Sequence, residues 1–221
     1  MNRVSGRVDP KFCEVPYNTD VENRADLVEF KSFNEKNSKK LNKRNQTPVG
    51  VVDTETALKY VGVAIWRKLY ARELFSKIRF PAGMVYEDMA VSHKLIFEAK
   101  RIVMIDDVLY FHVYRKGSIT NTRSVKNSRD AFISTFRRVE DMNSYGLLLE
   151  KYERSLVSRA LTYLSVSNQR DGSVFKQAEE VIDSTKRIPS GLKMKKKAMF
   201  MVWKTDKRLF YFICKVLGQK E

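Results

Sequence analysis

The sequence predicts an α/β fold, a sheet portion with its own helix followed by a helical C-terminal region. Ala25-Asp26-Leu27-Val28-Glu29-Phe30 alternates at the strand period, and Ile102–Ile105 and Val108–Phe111 are apolar runs of β type. Val91, Leu95 and Ala99 form an i, i+4 row with Met89 and Ile96 beside it, the stripe of a core-facing helix from Asp88 to Lys100. Beyond Thr122 only the helical period remains.

In chain order, residues 1–26 mix Gly, Pro, Asn and charges without periodicity, which leaves 1–24 as an irregular N-terminal segment and starts the fold near Ala25. After the first strand, FNEKNSKKLNKRNQTP is a basic, Asn-rich insertion with no apolar face, expected to be a mobile loop. Asp53 can cap a helix through Leu58 to Val63, because a short side-chain oxygen satisfies free N–H groups of the first turn. Asp53-x-Glu55 also has the look of an acidic metal triplet, and the cap is the simpler reading. Trp66, Leu69, Tyr70, Leu74 and Phe75 recur at helical or turn-like spacing until Phe80-Pro81-Ala82-Gly83 ends the run.

Glu87 and Asp88 open the Asp88–Lys100 helix. Asp106-Asp107 then separates two short strands as a tight acidic turn, and the second strand leads to Tyr114-Arg115-Lys116-Gly117-Ser118. Three helices are expected around Phe132, Phe136 and Val139, around Leu156, Ala160 and Leu164, and from Val174 to Ile182. After Pro189-Ser190-Gly191 comes a tail in which Lys and Arg interleave with Met, Trp, Phe, Tyr and Leu. The parts are 25–121, the sheet portion and its site, 122–189, helical, and 190–221, a basic amphipathic tail.

The 221 residues are 43% hydrophobic, enough for one substantial domain or two small ones, and the net charge of +16 attracts polyanions. Nucleic acid, anionic lipid headgroups and phosphorylated substrates all qualify. Cys13 and Cys214 lie at opposite ends, without the spacing of a zinc site or a disulfide framework, and a reducing compartment is the default. The first residues are polar and charged where a signal peptide needs an apolar core, and no apolar run is long enough to span a bilayer. The expected location is therefore cytoplasmic, with the inner face of the membrane open to it.

Asp88 is the best single candidate for chemistry. A carboxylate at the start of a helix is held ionised by the dipole and the free N–H groups, and Gly83 just upstream leaves room for a ligand. An ionised carboxylate can take a proton from an attacking hydroxyl. Taken alone, the pair Glu87-Asp88 reads more simply as ordinary helix-start acids. Arg115, Lys116 and Ser118 could hold a phosphate or pyrophosphate, with Gly117 allowing close approach, or form a solvated turn. His112 could be a metal ligand or a base, but a lone His within an apolar strand reads more simply as structural, and His93 is less suggestive still. The phosphate-cradling, dinucleotide, zinc-protease and serine-hydrolase motifs are missing and the two histidines are too few for most His-based metal sites, so any catalysis here should depend on carboxylates.

Trp66-x-Lys68-Leu69-Tyr70 with Glu73-Leu74-Phe75, then Arg79-Phe80-Pro81-x-Gly83, Tyr86-Glu87-Asp88, Tyr110 and Arg115-Lys116-Gly117-Ser118-Ile119, resembles family 2 glycosyltransferases in order and spacing. The likeness is to bacterial enzymes that build capsular, exopolysaccharide or cell-wall glycans, and it spans about Ala25 to Asn121. It implies a GT-A, Rossmann-like fold, a nucleotide-diphosphate-sugar donor, a glycan or lipid-linked acceptor, a divalent metal (Mn or Mg) and inversion at the anomeric carbon. By that resemblance Asp88 is the base and Glu87 positions the acceptor. Trp66 and Lys68 shape the acceptor side, and Arg115 and Ser118 close over the donor phosphates. It reverses the simple reading of Asp88.

Two departures accompany it. The chain opens about where the family's nucleotide-binding half and its acidic metal motif would just have ended, and Arg67 stands where the family usually has Asn. The expectation is a C-terminal, acceptor-side part of a glycosyltransferase, inactive alone or completed by a separate N-terminal half. The tail, Ala198 to Leu217, reads equally as an interfacial anchor or as a core helix with a solvated lysine face. Nucleic-acid binding is a rival suggested by the charge of +16 and by aromatics that could stack on bases, and no recognised module supports it.

Overall fold

A computed structural model of the chain describes residues 6–34, 47–113, 124–168, 170 and 172–218. It divides into two compact units, Met1–Pro81 with Val91–Ser118, and Ala82–Ala90 with Ile119–Glu221. No helix among the described residues is long and apolar enough to cross a membrane.

The first unit is built on a mixed sheet of β1 (Gly6–Val8), β2 (Leu27–Asn34), β3 (Gly50–Val52), β4 (Lys68–Tyr70) and β5 (Ile102–His112). β5 is its axis. One edge of β5 runs parallel to β2, which pairs antiparallel with β4 on its far side. The other edge is shared end to end by β3, opposite Ile102–Met104, and β1, opposite Tyr110–His112, both antiparallel. Leu27 and Val28 of β2 and Ile102 and Val103 of β5, which point to opposite faces as successive strand residues, are all buried, so both faces of the sheet are covered there.

The expected pair of strands around Asp106-Asp107 is one strand. Between the pairs Glu29↔Met104 and Lys31↔Val108 the ladder is irregular, so the extra residues of β5 are taken up as a bulge. No glycine follows the two aspartates to make a two-residue hairpin turn. Both stay exposed, and Lys31 pairs with Asp106.

The N-terminal segment is also more ordered than its sequence suggests. Glu14–Asn23 is a helix, α1, closed by Arg24 in the left-handed region at φ 52°. It shows no apolar stripe and buries only Pro16, so periodicity could not reveal it. Its position comes from tertiary contact, with Phe12 and Val15 packed on Phe30, Leu109 and Tyr110. α2 (Thr54–Tyr60) is capped as expected, the Thr56 N–H donating to Asp53 Oδ1 at 2.7 Å, and ends before Val63. Two 3-10 turns, Ile65–Arg67 and Arg72–Phe75, flank β4. α3 (Glu87–Glu98) buries Val91, Leu95 and Ile96, the expected stripe, and its first turn belongs to the second unit.

The second unit is helical, as the change of period after Thr122 predicts. α4 (Val125–Ser144) packs on α5 (Glu150–Val166), and α5 also meets α6 (Ser173–Ser184), α7 (Met194–Thr205) and α8 (Lys207–Gly218). Ser124 caps α4 by accepting from the Asn127 N–H at 3.0 Å. Phe132, Met142, Leu161, Phe175, Trp203 and Phe210 form the core. The expected stripe Leu156, Ala160 and Leu164 is buried, and of the Phe132, Phe136, Val139 stripe only Phe136 is half-exposed.

Candidate active site

Asp88 stands one residue inside α3, and the segment before it is bent twice. Gly83 and Tyr86 both have positive φ, 72° and 63°, and for Tyr86 that conformation is costly. Side chains of the helical unit hold it there. Asp130, 1% exposed, accepts from the Val85 N–H at 3.2 Å and from Lys126 Nζ at 2.8 Å, and Lys126 also donates to the Gly83 carbonyl at 3.1 Å. The Arg159 guanidinium lies over the Tyr86 ring at 5.8 Å. The start of α3 is therefore a clamped turn rather than a loose helix end.

Within it Glu87 is exposed and Asp88 half-buried, and Asp88 Oδ1 accepts from the Met89 N–H at 2.8 Å. The charge nearby comes from Arg138 on α4, which is 4% exposed and lies over the Tyr152 ring at 4.7 Å. Burial pulls Arg138 below the ordinary arginine value, while Tyr152 and the Asp88 carboxylate work to hold its proton. Burial also pushes the Tyr152 phenol up, against the pull of Arg138. An ionised carboxylate fixed at a helix start can take a proton from a hydroxyl brought beside it.

The acceptor-side expectations Trp66 and Lys68 belong to the sheet unit. Trp66, 38% exposed, lies against Tyr110 with ring centroids 4.1 Å apart and planes tilted by 33°, and is 6.0 Å from the His112 ring. Tyr110 is 6% exposed, and burial raises its phenol. Trp66 is thus the outer ring of an aromatic stack, a flat apolar surface for a ring ligand. Lys68 is buried and donates to the carbonyls of Gly62 and Ala64 at 2.8 and 2.6 Å, so it holds the turn that presents Trp66. Arg67 is buried too and pairs with Glu29 at 2.7 Å, while Glu29 also accepts from the Gly62 N–H. A Cβ at Gly62 would strike the Arg67 guanidinium.

Arg115 and Ser118, assigned to donor phosphates, lie outside the described residues, as does most of the basic Asn-rich insertion. Among the described residues, no three His, Cys, Asp or Glu side chains come together as ligands for an ion. His93 is fully buried against Phe97, in keeping with a structural role. Asp130, Arg138 and Glu29 escaped sequence reasoning. Arg138 left a trace, since it lies at helical spacing with Ala131, Thr135 and Met142, a cation on the buried face of an amphipathic helix.

No protein-family model matches the sequence. The chain is similar to the glycosyltransferase GlyA of Streptococcus pneumoniae serotype 4, 22% identical over 189 residues that cover 78% of this chain and 27% of that protein. It is also similar to the glycosyltransferase GlyG of the same organism, 31% identical over 107 residues, covering 43% of this chain and 36% of that protein. Among solved structures, S. aureus TarS 1-349 in complex with UDP-GlcNAc superimposes with a TM-score of 0.54 at 13% identity, covering 97% of this chain and 65% of that one. A second crystal structure of S. aureus TarS 1-349 gives a TM-score of 0.56 at 15% identity, covering 98% of this chain and 65% of that one. The chain spans about a third or less of the curated relatives it matches. The α/β architecture is that of a glycosyltransferase fold.

Proposed function

We propose that the chain is the acceptor-side part of an inverting glycosyltransferase, transferring a sugar from a nucleotide-diphosphate sugar to a hydroxyl of a glycan or lipid-linked acceptor. The acceptor oxygen attacks the anomeric carbon as the bond to the diphosphate breaks. The leaving nucleoside diphosphate keeps the bonding electrons, and Asp88 takes the hydroxyl proton. Glu87, exposed beside it, orients the acceptor, and Trp66 is assigned to the acceptor side by the resemblance alone. Arg115 and Ser118 are assigned to the donor phosphates by the resemblance alone. A divalent metal belongs to that resemblance as well; the described residues offer no ligand cluster that fits one, and no step here passes through it.

One observation carries the reading. Asp88 sits at the start of a helix, in a turn clamped by Asp130, with the buried charge of Arg138 acting on it. Similarity to two glycosyltransferases and to a structure described as binding UDP-GlcNAc supports the donor class.

The test is sugar transfer and ligand-dependent melting of the full chain with a panel of nucleotide-diphosphate sugars and glycan acceptors, wild type against Asp88→Asn. Acceptor binding by the wild type, with any transfer lost in the variant, supports the proposal, and robust transfer by the chain alone overturns its reading as an acceptor-side part only. Undiminished transfer by Asp88→Asn overturns the role of the base. No binding of any donor or acceptor overturns the wider reading. A chain that binds acceptor and transfers only beside a separate donor-binding protein is the acceptor-side partner the sequence suggests.

A further inference from the structure

The tail is a pair of packed helices, which changes which of its residues could meet another surface. Trp203, Phe200 and Phe210 are 2–4% exposed and belong to the core. The Trp203 indole donates to Asp183 Oδ1 at 2.9 Å, so the tail is tied to α6 by its largest side chain. These aromatics are unavailable to a membrane in the folded chain.

α8 remains apolar on its outward side. Successive residues turn by about 100° around a helix, so Phe210, Tyr211 and Cys214 share the packed side, while Leu209, Phe212 and Val216 share the opposite one. Those three are 44%, 64% and 43% exposed. Arg208 and Lys215, both exposed, fall on one flank of that apolar row. On α7, Met194 and Met201 are 77% and 58% exposed, with Lys195 and Lys204 exposed on the same helix. A helix serving only as a core element would turn a polar face to water; this one turns an apolar row bordered by cations. From Lys193 to Val216 there are eight Lys and Arg against one carboxylate, Asp206, so much of the net charge of +16 is concentrated here.

We infer that the outward face of α8, Leu209, Phe212 and Val216 bordered by Arg208 and Lys215, docks on an anionic bilayer surface. The apolar row enters the headgroup and acyl boundary, and the flanking cations contact lipid phosphates. Nucleic acid would use the cations and leave the aliphatic row in water, and a second copy would bring like charge against like charge. The charge and the apolar row together therefore favour lipid. The inference goes beyond the proposed transfer and stands without it.

The test is flotation of the purified full chain with vesicles of phosphatidylcholine alone and of phosphatidylcholine with phosphatidylglycerol, at low and high salt. Binding to the anionic vesicles only, weakened by salt, is expected. Charge reversal at Arg208 and Lys215 should lower binding about fivefold per cation even before repulsion is counted. Phe212→Ser with Leu209→Ser should lower it at least about tenfold, with the melting temperature kept, since both side chains point outward. As a second reading, Phe212→Trp should blue-shift its emission on anionic vesicles. Absence of flotation at low salt, flotation indifferent to Phe212→Ser, self-association lost in that variant, or binding to RNA in preference to vesicles would each overturn the inference.

Discussion

The carboxylate of Asp130 accepts the backbone N–H of Val85 at 3.2 Å, and so a residue 45 positions away sets the turn that delivers Asp88. Asp130→Ala leaves that N–H without its acceptor and the Lys126 ammonium with the Gly83 carbonyl in place of its ion pair. A loss of about 1–3 kcal/mol is expected, kept near the lower end because Lys126 is well exposed and can return to water. Denaturant unfolding measures it, and Asp130→Asn should recover part of the stability. A full-stability Asp130→Ala chain with unchanged ligand binding would show that the turn holds itself.

Arg67 and Glu29 form a buried pair at 2.7 Å beneath the segment that carries Trp66. Removing one partner strands a charge in the interior, so Glu29→Ala or Arg67→Ala should cost about 3–5 kcal/mol each. The double replacement Glu29→Leu with Arg67→Met should cost much less than the two losses added. Equal additivity in a double-mutant cycle would mean that the two groups do not depend on each other.

Trp66→Ala removes the outer ring of the stack on Tyr110. A stability loss of about 1 kcal/mol beyond the lost burial is expected, together with up to about tenfold weaker acceptor binding. Trp66→Phe should keep most of both. If acceptor affinity is untouched by Trp66→Ala while stability falls, the ring is a packing residue only.

Asp183 links α6 to the tail. Burial works to raise its carboxyl, but hydrogen bonds from Lys207 and Trp203 and the charges of Lys207 and Lys204 outweigh it, and the net shift is below the ordinary 3.8. The folded form therefore binds the proton less readily than the unfolded chain. This stabilisation is full above 3.8 and is lost as pH falls through the lower folded value. Tryptophan fluorescence on acid titration should show the packing around Trp203 loosening in that range, and Asp183→Asn should lose stability at neutral pH and flatten the acid response. An identical acid profile in both proteins would exclude the link.

The two cysteines should differ in rate. Cys13 is exposed, whereas burial pushes the Cys214 thiol up despite nearby Lys196, Lys195 and Arg170. At mildly alkaline pH a maleimide should modify Cys214 at least about tenfold more slowly than Cys13. Equal rates in single-cysteine variants would mean that α8 opens readily.

Much of this molecule is legible along the chain because the signal is local. The stripe Val91, Leu95, Ile96 foretells α3, Asp53 foretells the cap of α2, and the period after Thr122 foretells the helical unit, since each needs only neighbours within a turn or two. Asp88 could be singled out on the same ground, as an acid at a helix start. What tertiary structure alone decides is who stands opposite. α1 has no stripe of its own and is placed by contacts with Phe30 and Leu109; Asp106-Asp107 becomes a bulge because β2 runs past it; and Lys68 turns inward to carbonyls at Gly62 and Ala64. Arg138, Asp130 and Glu29 read as ordinary surface charges until folding buries them and gives each a partner distant in sequence, because the cost of burying a charge and the contact that offsets it arise only once the chain has closed on itself.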